Sequence, residues 1–197
     1  MKDTDNIRVC IVGATGFAGA ELCRIILGHP IFKLTKATDR KAVGVPLSKV
    51  YPSLLGICDI TLSTPDVDAI AASADVVFLA VPHTASLLLT PSLIKQGLTV
   101  IDLSADYRIK DPEIYESWYG VKHTSSELLN QAVYGLPELN REELLALSQK
   151  YKKGEPVLVA APGCYPTATA LAALPALEAG VVEGNLVISD AISGVSG

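Results

Sequence analysis

Three glycines that follow an apolar run directly and open a helical pattern constrain this chain more than any other feature. Val9-Cys10-Ile11-Val12 reads as a buried strand, Gly13-Ala14-Thr15-Gly16-Phe17-Ala18-Gly19 follows it, and Leu22, Ile25 and Ile26 then recur at helical spacing until Gly28 and Pro30 stop the pattern. A strand that turns on glycine straight into a helix is the opening of a βαβ unit. In that context the first glycine permits a tight turn, the second lets backbone approach a pyrophosphate, and the third allows close helix–strand packing, with the anion on the helix N-terminus. The spacing is G-x-x-G-x-x-G, so the placement between strand and helix carries the reading more than the spacing does. Gly13, Thr15, Gly16, Phe17, Ala18 and Gly19 form the candidate cofactor cradle.

The rest of the chain continues the alternation. Strand-like runs at Ile7–Val12, Leu34–Ala37, 60–62, Val76–Val81 and 99–103 are separated by helical patterns over Phe17–Leu27 and 85–96, the second holding Pro91 and so expected to kink or split. This predicts an α/β fold, a doubly wound parallel sheet of the Rossmann nucleotide-binding kind. Asn140-Arg-Glu-Glu143 predicts a helix start with a polar cap, and the Tyr-, Trp- and Pro-rich stretch 104–137 reads as a long functional connection. Beyond it, 156–161 reads as a further buried strand and 185–193 as a new one.

With 197 residues, 49% of them hydrophobic, the chain can bury a full core, and a net charge of −5 without a basic cluster excludes an electrostatic footprint for nucleic acid or an acidic membrane. No apolar run reaches membrane-spanning length and the N-terminus does not resemble a signal peptide, which predicts a cytoplasmic protein acting on a small molecule. Cys10, Cys23, Cys58 and Cys164 form no C-x-x-C pair, so reduced thiols are expected, with neither disulfide framework nor metal site.

Two places along this frame carry chemistry. Ala161-Pro162-Gly163-Cys164-Tyr165-Pro166 sets a thiol between a buried strand and a helix in which Pro166 suits the first turn. Unpaired N–H groups and the helix dipole there favour a thiolate, making Cys164 the candidate nucleophile. At the other end, Thr38-Asp39-Arg40-Lys41 lies where an adenosine ribose is read. Asp39 suits the 2′-hydroxyl of NAD, while Thr38, Arg40 and Lys41 suit the 2′-phosphate of NADP, and the paired cations tip the reading to NADP. Pro82 and His83 close a strand at its carboxyl end and are expected to line the cofactor pocket.

Taken together, Gly13-Ala-Thr-Gly16-Phe-Ala-Gly19-Ala-Glu-Leu22, Asp102-Leu-Ser-Ala-Asp106-Tyr-Arg108, Tyr134-Gly-Leu-Pro-Glu-Leu-Asn-Arg141, Pro162-Gly-Cys164-Tyr-Pro-Thr-Ala168 and Ser193-Gly-Val-Ser-Gly197 resemble the N-acetyl-gamma-glutamyl-phosphate reductase family of arginine biosynthesis. The resemblance implies reduction of an acyl phosphate to a semialdehyde with phosphate release, through a thioester on Cys164, with NADP as hydride carrier. Ser104 and Arg108 are the candidate substrate-binding residues, Arg108 for its anion-matching guanidinium or, alternatively, as an ion-pair partner of Asp102 or Asp106. Ala161 departs from the asparagine usual before Pro-Gly-Cys, and Asp39 from a small hydroxyl residue.

The family resembles a longer chain whose second half carries a histidine acid/base and most of a subunit interface. Residues 1–165 are therefore expected to form the dinucleotide domain and 166–197 the start of a truncated α+β substrate domain, the full-length form being a homo-oligomer. An aspartate-semialdehyde dehydrogenase-like enzyme, or a nucleotide-binding fragment without turnover, remains an alternative. A short-chain epimerase or reductase is not, since no tyrosine here stands four residues before a lysine.

Overall fold

The computed structural model describes residues 5–182 and 186–194. Strands β1 (Ile7–Val12), β2 (Phe32–Thr38), β3 (Val76–Leu79), β4 (Thr99–Asp102), β5 (Ala132–Tyr134) and β6 (Leu158–Ala160) form one parallel sheet in the order β2-β1-β3-β4-β6-β5. Helices are α1 (Phe17–Leu27), α2 (Leu47–Val50), α3 (Val67–Ser73), α4 (Ala85–Lys95), α5 (Pro112–Tyr119), α6 (Pro137–Lys152) and α7 (Cys164–Glu178). The chain runs outward from β1 to β2, then crosses back to lay β3 on the other flank of β1. That reversal is the topological switch point at which open α/β sheets bind ligands, beyond the carboxyl ends of the strands.

Alternation along β1 builds two cores. Val9 and Ile11 face one side with Cys23 and Ile26 of α1, Leu47 of α2 and Leu62. Cys10 and Val12 face the other with Ile70 of α3, Leu87 and Leu93 of α4, and Val77, Val100 and Leu158 of the neighbouring strands. Both faces are covered, which is why Val9–Val12 of β1 and Val76–Leu79 of β3 read as unbroken apolar runs.

Several expected elements take a different form. Residues 60–62 make no strand, only the isolated bridge Pro46–Thr61 with Thr38–Ser63 just beyond, because the segment turns in to close the core beside Val9 and Ile11 through Leu62. Pro91 neither splits nor ends α4, which runs unbroken from Ala85. The connection 104–137 holds α5 and β5, the helix opened by Asp111 accepting from the Glu113 and Ile114 backbone N–H groups, with Pro112 in its first turn. The sixth helix begins at Pro137; Asn140 lies inside it with non-helical angles (φ −120, ψ 34), and its side-chain amide donates to the Tyr134 carbonyl at 3.1 Å instead of capping. Of the strand expected at 185–193, residue 185 lies outside the described residues, and residues 186–194 are in no strand.

Candidate active site

Sheet order lays the candidate residues out along one edge. The carboxyl ends of β2, β1, β3, β4 and β6 deliver in turn Thr38–Lys41, the glycine turn, Pro82–His83, the Asp102–Arg108 turn and Cys164. At about 4.8 Å between neighbours, β6, which leads to Cys164, stands three strand spacings, about 14 Å, from β1, which leads to the glycine turn.

A cavity of about 510 Å³ opens at the switch point, lined among others by Gly13, Thr15, Gly16, Thr38, Arg40, Pro82 and His83. Gly13 is left-handed (φ 85), and a Cβ there would stand 2.2 Å from the Ala80 carbonyl oxygen. A Cβ on Gly19 would stand 2.1 Å from the Gly13 oxygen, so helix and turn meet only through bare backbone. Gly16 meets nothing nearer than 3.6 Å and faces the opening. It caps α1 without any side-chain acceptor, leaving the first N–H groups of the helix free for an anion. Phe17 and Ala18 stand exposed on that first turn.

The Thr38 hydroxyl is fully buried with no hydrogen-bond partner among the described residues, an orphan at the cavity wall that a ligand oxygen would satisfy. These features fit a dinucleotide. Asp39, in contrast, is already occupied. It accepts from the Thr15 hydroxyl through one oxygen and from the Lys41 and Ala42 backbone N–H groups, at 2.7 and 2.9 Å, through the other. Burial raises its carboxyl, but these hydrogen bonds and the Lys41 charge prevail and hold it below the usual range. Arg40 and Lys41 project exposed beside it.

The Asp102–Arg108 turn is a buried polar knot. Asp102 accepts from the Ser104 N–H at 3.0 Å and hydroxyl at 2.8 Å, and burial pushes its carboxyl up to about 6 against those bonds. Ser104 is itself buried, and its Oγ also accepts from the Asp106 N–H at 3.1 Å. Tyr107 bonds Ser125 at 2.7 Å, burial raising its hydroxyl to about 12. His123 accepts from the Ser125 N–H through Nδ1, which makes Nε2 the donor to the Asp106 carbonyl at 2.8 Å. Both nitrogens are thus used inside the core. Arg108 forms hydrogen bonds to carbonyls, not to Asp102 or Asp106: Nε donates to Ala161 at 2.8 Å and Nη2 to Leu103 at 2.7 Å. Its Nη1 lies against Gly163, where a Cβ would stand 3.0 Å away.

Cys164 is the one exposed thiol among the four, all of them free. It opens α7 behind Gly163, which supplies no side-chain cap. Burial pushes the Cys10 and Cys23 thiols up to about 12. Sequence reasoning passed over Thr84 and considered Asp106 only as an ion-pair partner of Arg108; the fold brings the two together beside the cavity. Thr84 has a left-handed backbone (φ 70), and its N–H donates to the buried Asp106 carboxylate at 3.0 Å. Among the described residues no three of His, Cys, Asp or Glu are grouped to hold a metal, and no helix is long and apolar enough to cross a membrane.

The semialdehyde dehydrogenase NAD-binding domain model matches residues 8–147, and the semialdehyde dehydrogenase dimerisation domain model matches 164–197. N-acetyl-gamma-glutamyl-phosphate reductase of Nitrosococcus oceani is 47% identical over 97% of this chain and 53% of its own length. That of Methanopyrus kandleri is 47% identical over 96% and 52%. The chain spans about half the length of the curated relatives it matches. Aspartate semialdehyde dehydrogenase with NADP from Candida albicans superposes with a TM-score of 0.65 at 18% identity, over 89% of this chain and 47% of that one, a likeness of fold.

Proposed function

The chain belongs to the semialdehyde dehydrogenase family, and we propose that it serves the NADP-dependent reduction of N-acetyl-gamma-glutamyl phosphate to the semialdehyde with release of phosphate. The observation that carries the reading is the single sheet edge on which a nucleotide cavity, an arginine-buttressed turn and an exposed helix-opening thiol stand in line. Identity of 47% to reductases of that name supports the substrate.

Gly13, Gly16, Gly19 and the first turn of α1 would hold the pyrophosphate, Thr38, Arg40 and Lys41 the adenosine end, and Pro82 and His83 the other. A cofactor held there in its reduced form would supply hydride. Cys164 Sγ attacks the acyl carbon, the carbon–oxygen bond to phosphate breaks, and a thioester forms. The N–H groups at the start of α7, which no side chain caps, would stabilise the oxyanion of that addition. When the aldehyde is released, the carbon–sulfur bond breaks and its electron pair returns to Sγ. Ser104 is buried and internally bonded, so its part is to shape the turn, while Arg108 Nη1 is the donor left for a substrate anion. NADP is preferred because Asp39 already accepts three hydrogen bonds within the fold and the exposed charges beside it are cationic. We place the change from dinucleotide to substrate domain near residue 165, the second unit pairing with another copy.

Phosphate-dependent oxidation of N-acetylglutamate semialdehyde by the full-length form, followed by NADPH formation with and without Cys164→Ala, tests the reading. Activity lost with the thiol and absent with aspartate semialdehyde is the expected result. Activity that survives Cys164→Ala overturns the mechanism, and a preference for aspartate semialdehyde overturns the substrate.

A further inference from the structure

The turn after β3 is tied down twice by the turn after β4. Thr84 lies in the left-handed region (φ 70), which is costly for a β-branched residue and persists only where its surroundings hold it. Its N–H donates to Oδ1 of Asp106 at 3.0 Å, and the same oxygen accepts from the Tyr115 hydroxyl at 2.8 Å. One residue earlier, the Ala105 N–H donates to Nδ1 of His83 at 3.3 Å. Tyr119, on the same helix as Tyr115, closes the other side, its ring 5.5 Å from that of His83. Asp106 is fully buried, and its second oxygen, Oδ2, has no hydrogen-bond partner among the described residues.

We propose that Asp106 is a positioning residue that locks the His83–Thr84 turn, so that His83, its proton fixed on Nε2, offers one hydrogen-bond donor to the bound cofactor. Nδ1 accepts from a backbone N–H, so the neutral ring carries its hydrogen on Nε2. His83 lines the cavity on the β3 side, across β1 from Arg40, where the nicotinamide half of the cofactor would lie. Ser104 and His123 meet the main chain of Asp106, whereas among the described residues Thr84 and Tyr115 alone donate to its carboxylate. The inference rests on the cofactor reading above.

The test is NADPH affinity by calorimetry in a set of variants, joined to NMR of the His83 ring. Asp106→Ala should weaken NADPH about tenfold, the loss expected when a buried hydrogen bond that holds the turn goes. Asp106→Asn, which keeps an acceptor oxygen for Thr84, should restore most of it. Tyr115→Phe, which removes only the other partner of Oδ1, should leave affinity within about threefold. Thr84→Gly should rescue Asp106→Ala to within about threefold of Thr84→Gly alone, because glycine holds a left-handed turn without the carboxylate. In the unmodified protein the imidazole nitrogens of His83 should show the Nε2–H tautomer and shift on addition of NADPH. Unchanged affinity in Asp106→Ala, or a double variant no better than Asp106→Ala, overturns the proposal. Should Asp106→Ala fail to fold, the ring decides: a proton on Nδ1, or no response to NADPH that binds, refutes it. Failure of the unmodified protein to bind NADPH overturns the cofactor reading instead, and the tautomer together with hydrogen exchange at the Thr84 amide then judges the clamp.

Discussion

Arg108 donates its Nε–H to the carbonyl oxygen of Ala161 at 2.8 Å, three residues ahead of Cys164. The main chain of Ala161 is held from the other side as well, its N–H donating to the Asp102 carbonyl at 2.8 Å. The loop that aims the thiol is therefore fixed through backbone atoms, and alanine in place of asparagine costs it neither bond.

Arg108→Lys should lower stability by about 1–2 kcal/mol, because one ammonium cannot reproduce a fork reaching both Ala161 and Leu103. Gly163→Ala should act on the same contact from the opposite side, its new methyl 3.0 Å from Nη1. Thermal unfolding read beside the alkylation rate of Cys164 checks both: each variant should change the thiol's rate while the sheet remains folded.

Brief, limiting iodoacetamide should label Cys164 first. Cys10 and Cys23, buried and raised to about 12, expose on the order of one thiolate in ten thousand at mildly alkaline pH, and Cys58 is buried too. Peptide mass spectrometry of the folded protein reads the order, and early labelling at any of the other three contradicts it.

The Asp102 carboxyl gives stability an unusual dependence on pH. Its value in the fold, about 6, lies above the ordinary 3.8, so between those two limits the folded state binds more protons than the unfolded one. Stability from this group is therefore present below pH 4 and declines as pH rises to about 6, by at most about 1.4 kcal/mol per pH unit. Asp102→Asn removes the titration. The difference in Tm between variant and parent should grow from pH 4 to pH 7 in the variant's favour, while Asp39, whose shift has the opposite sign, is common to both and cancels. A difference that does not change with pH refutes the assignment.

Arg40→Ala should weaken NADP binding about tenfold and NAD binding much less, the 2′-phosphate being the group that a guanidinium fork recognises. Calorimetry with both nucleotides measures this. Tighter binding of NAD than of NADP by the parent protein would mean that Asp39 reads the ribose despite its three internal partners.

What could be read from sequence is what depends on neighbours in the chain. The glycine turn, the run Val9–Val12 and the placing of Cys164 before Pro166 are local patterns, and the fold keeps each. Residues 60–62 misled because three residues with apolar ends serve as well to plug a core as to pair in a sheet. The strand Ala132–Tyr134 escaped notice through shortness, and it exists only because Leu158–Ala160 lies beside it. Thr84 and Asp106 are 22 residues apart, and no local pattern foretells a left-handed threonine whose amide is claimed by a distant carboxylate.

The strand order also sets a sequence of events. Strand β5 pairs only with β6, and β6 is the strand inserted between β4 and β5. During synthesis, therefore, β5 leaves the ribosome before its neighbour in the sheet, which begins 26 residues later. Arrival of Leu158–Ala160 completes the sheet and seats Ala161 against Arg108 in the same stroke. The half of the edge that holds nucleotide can close once β3 has emerged to pair with β1, and the half that holds the thiol closes last, because β6 is the last strand made. A nascent chain halted before β6 would carry the nucleotide cavity without its reactive cysteine.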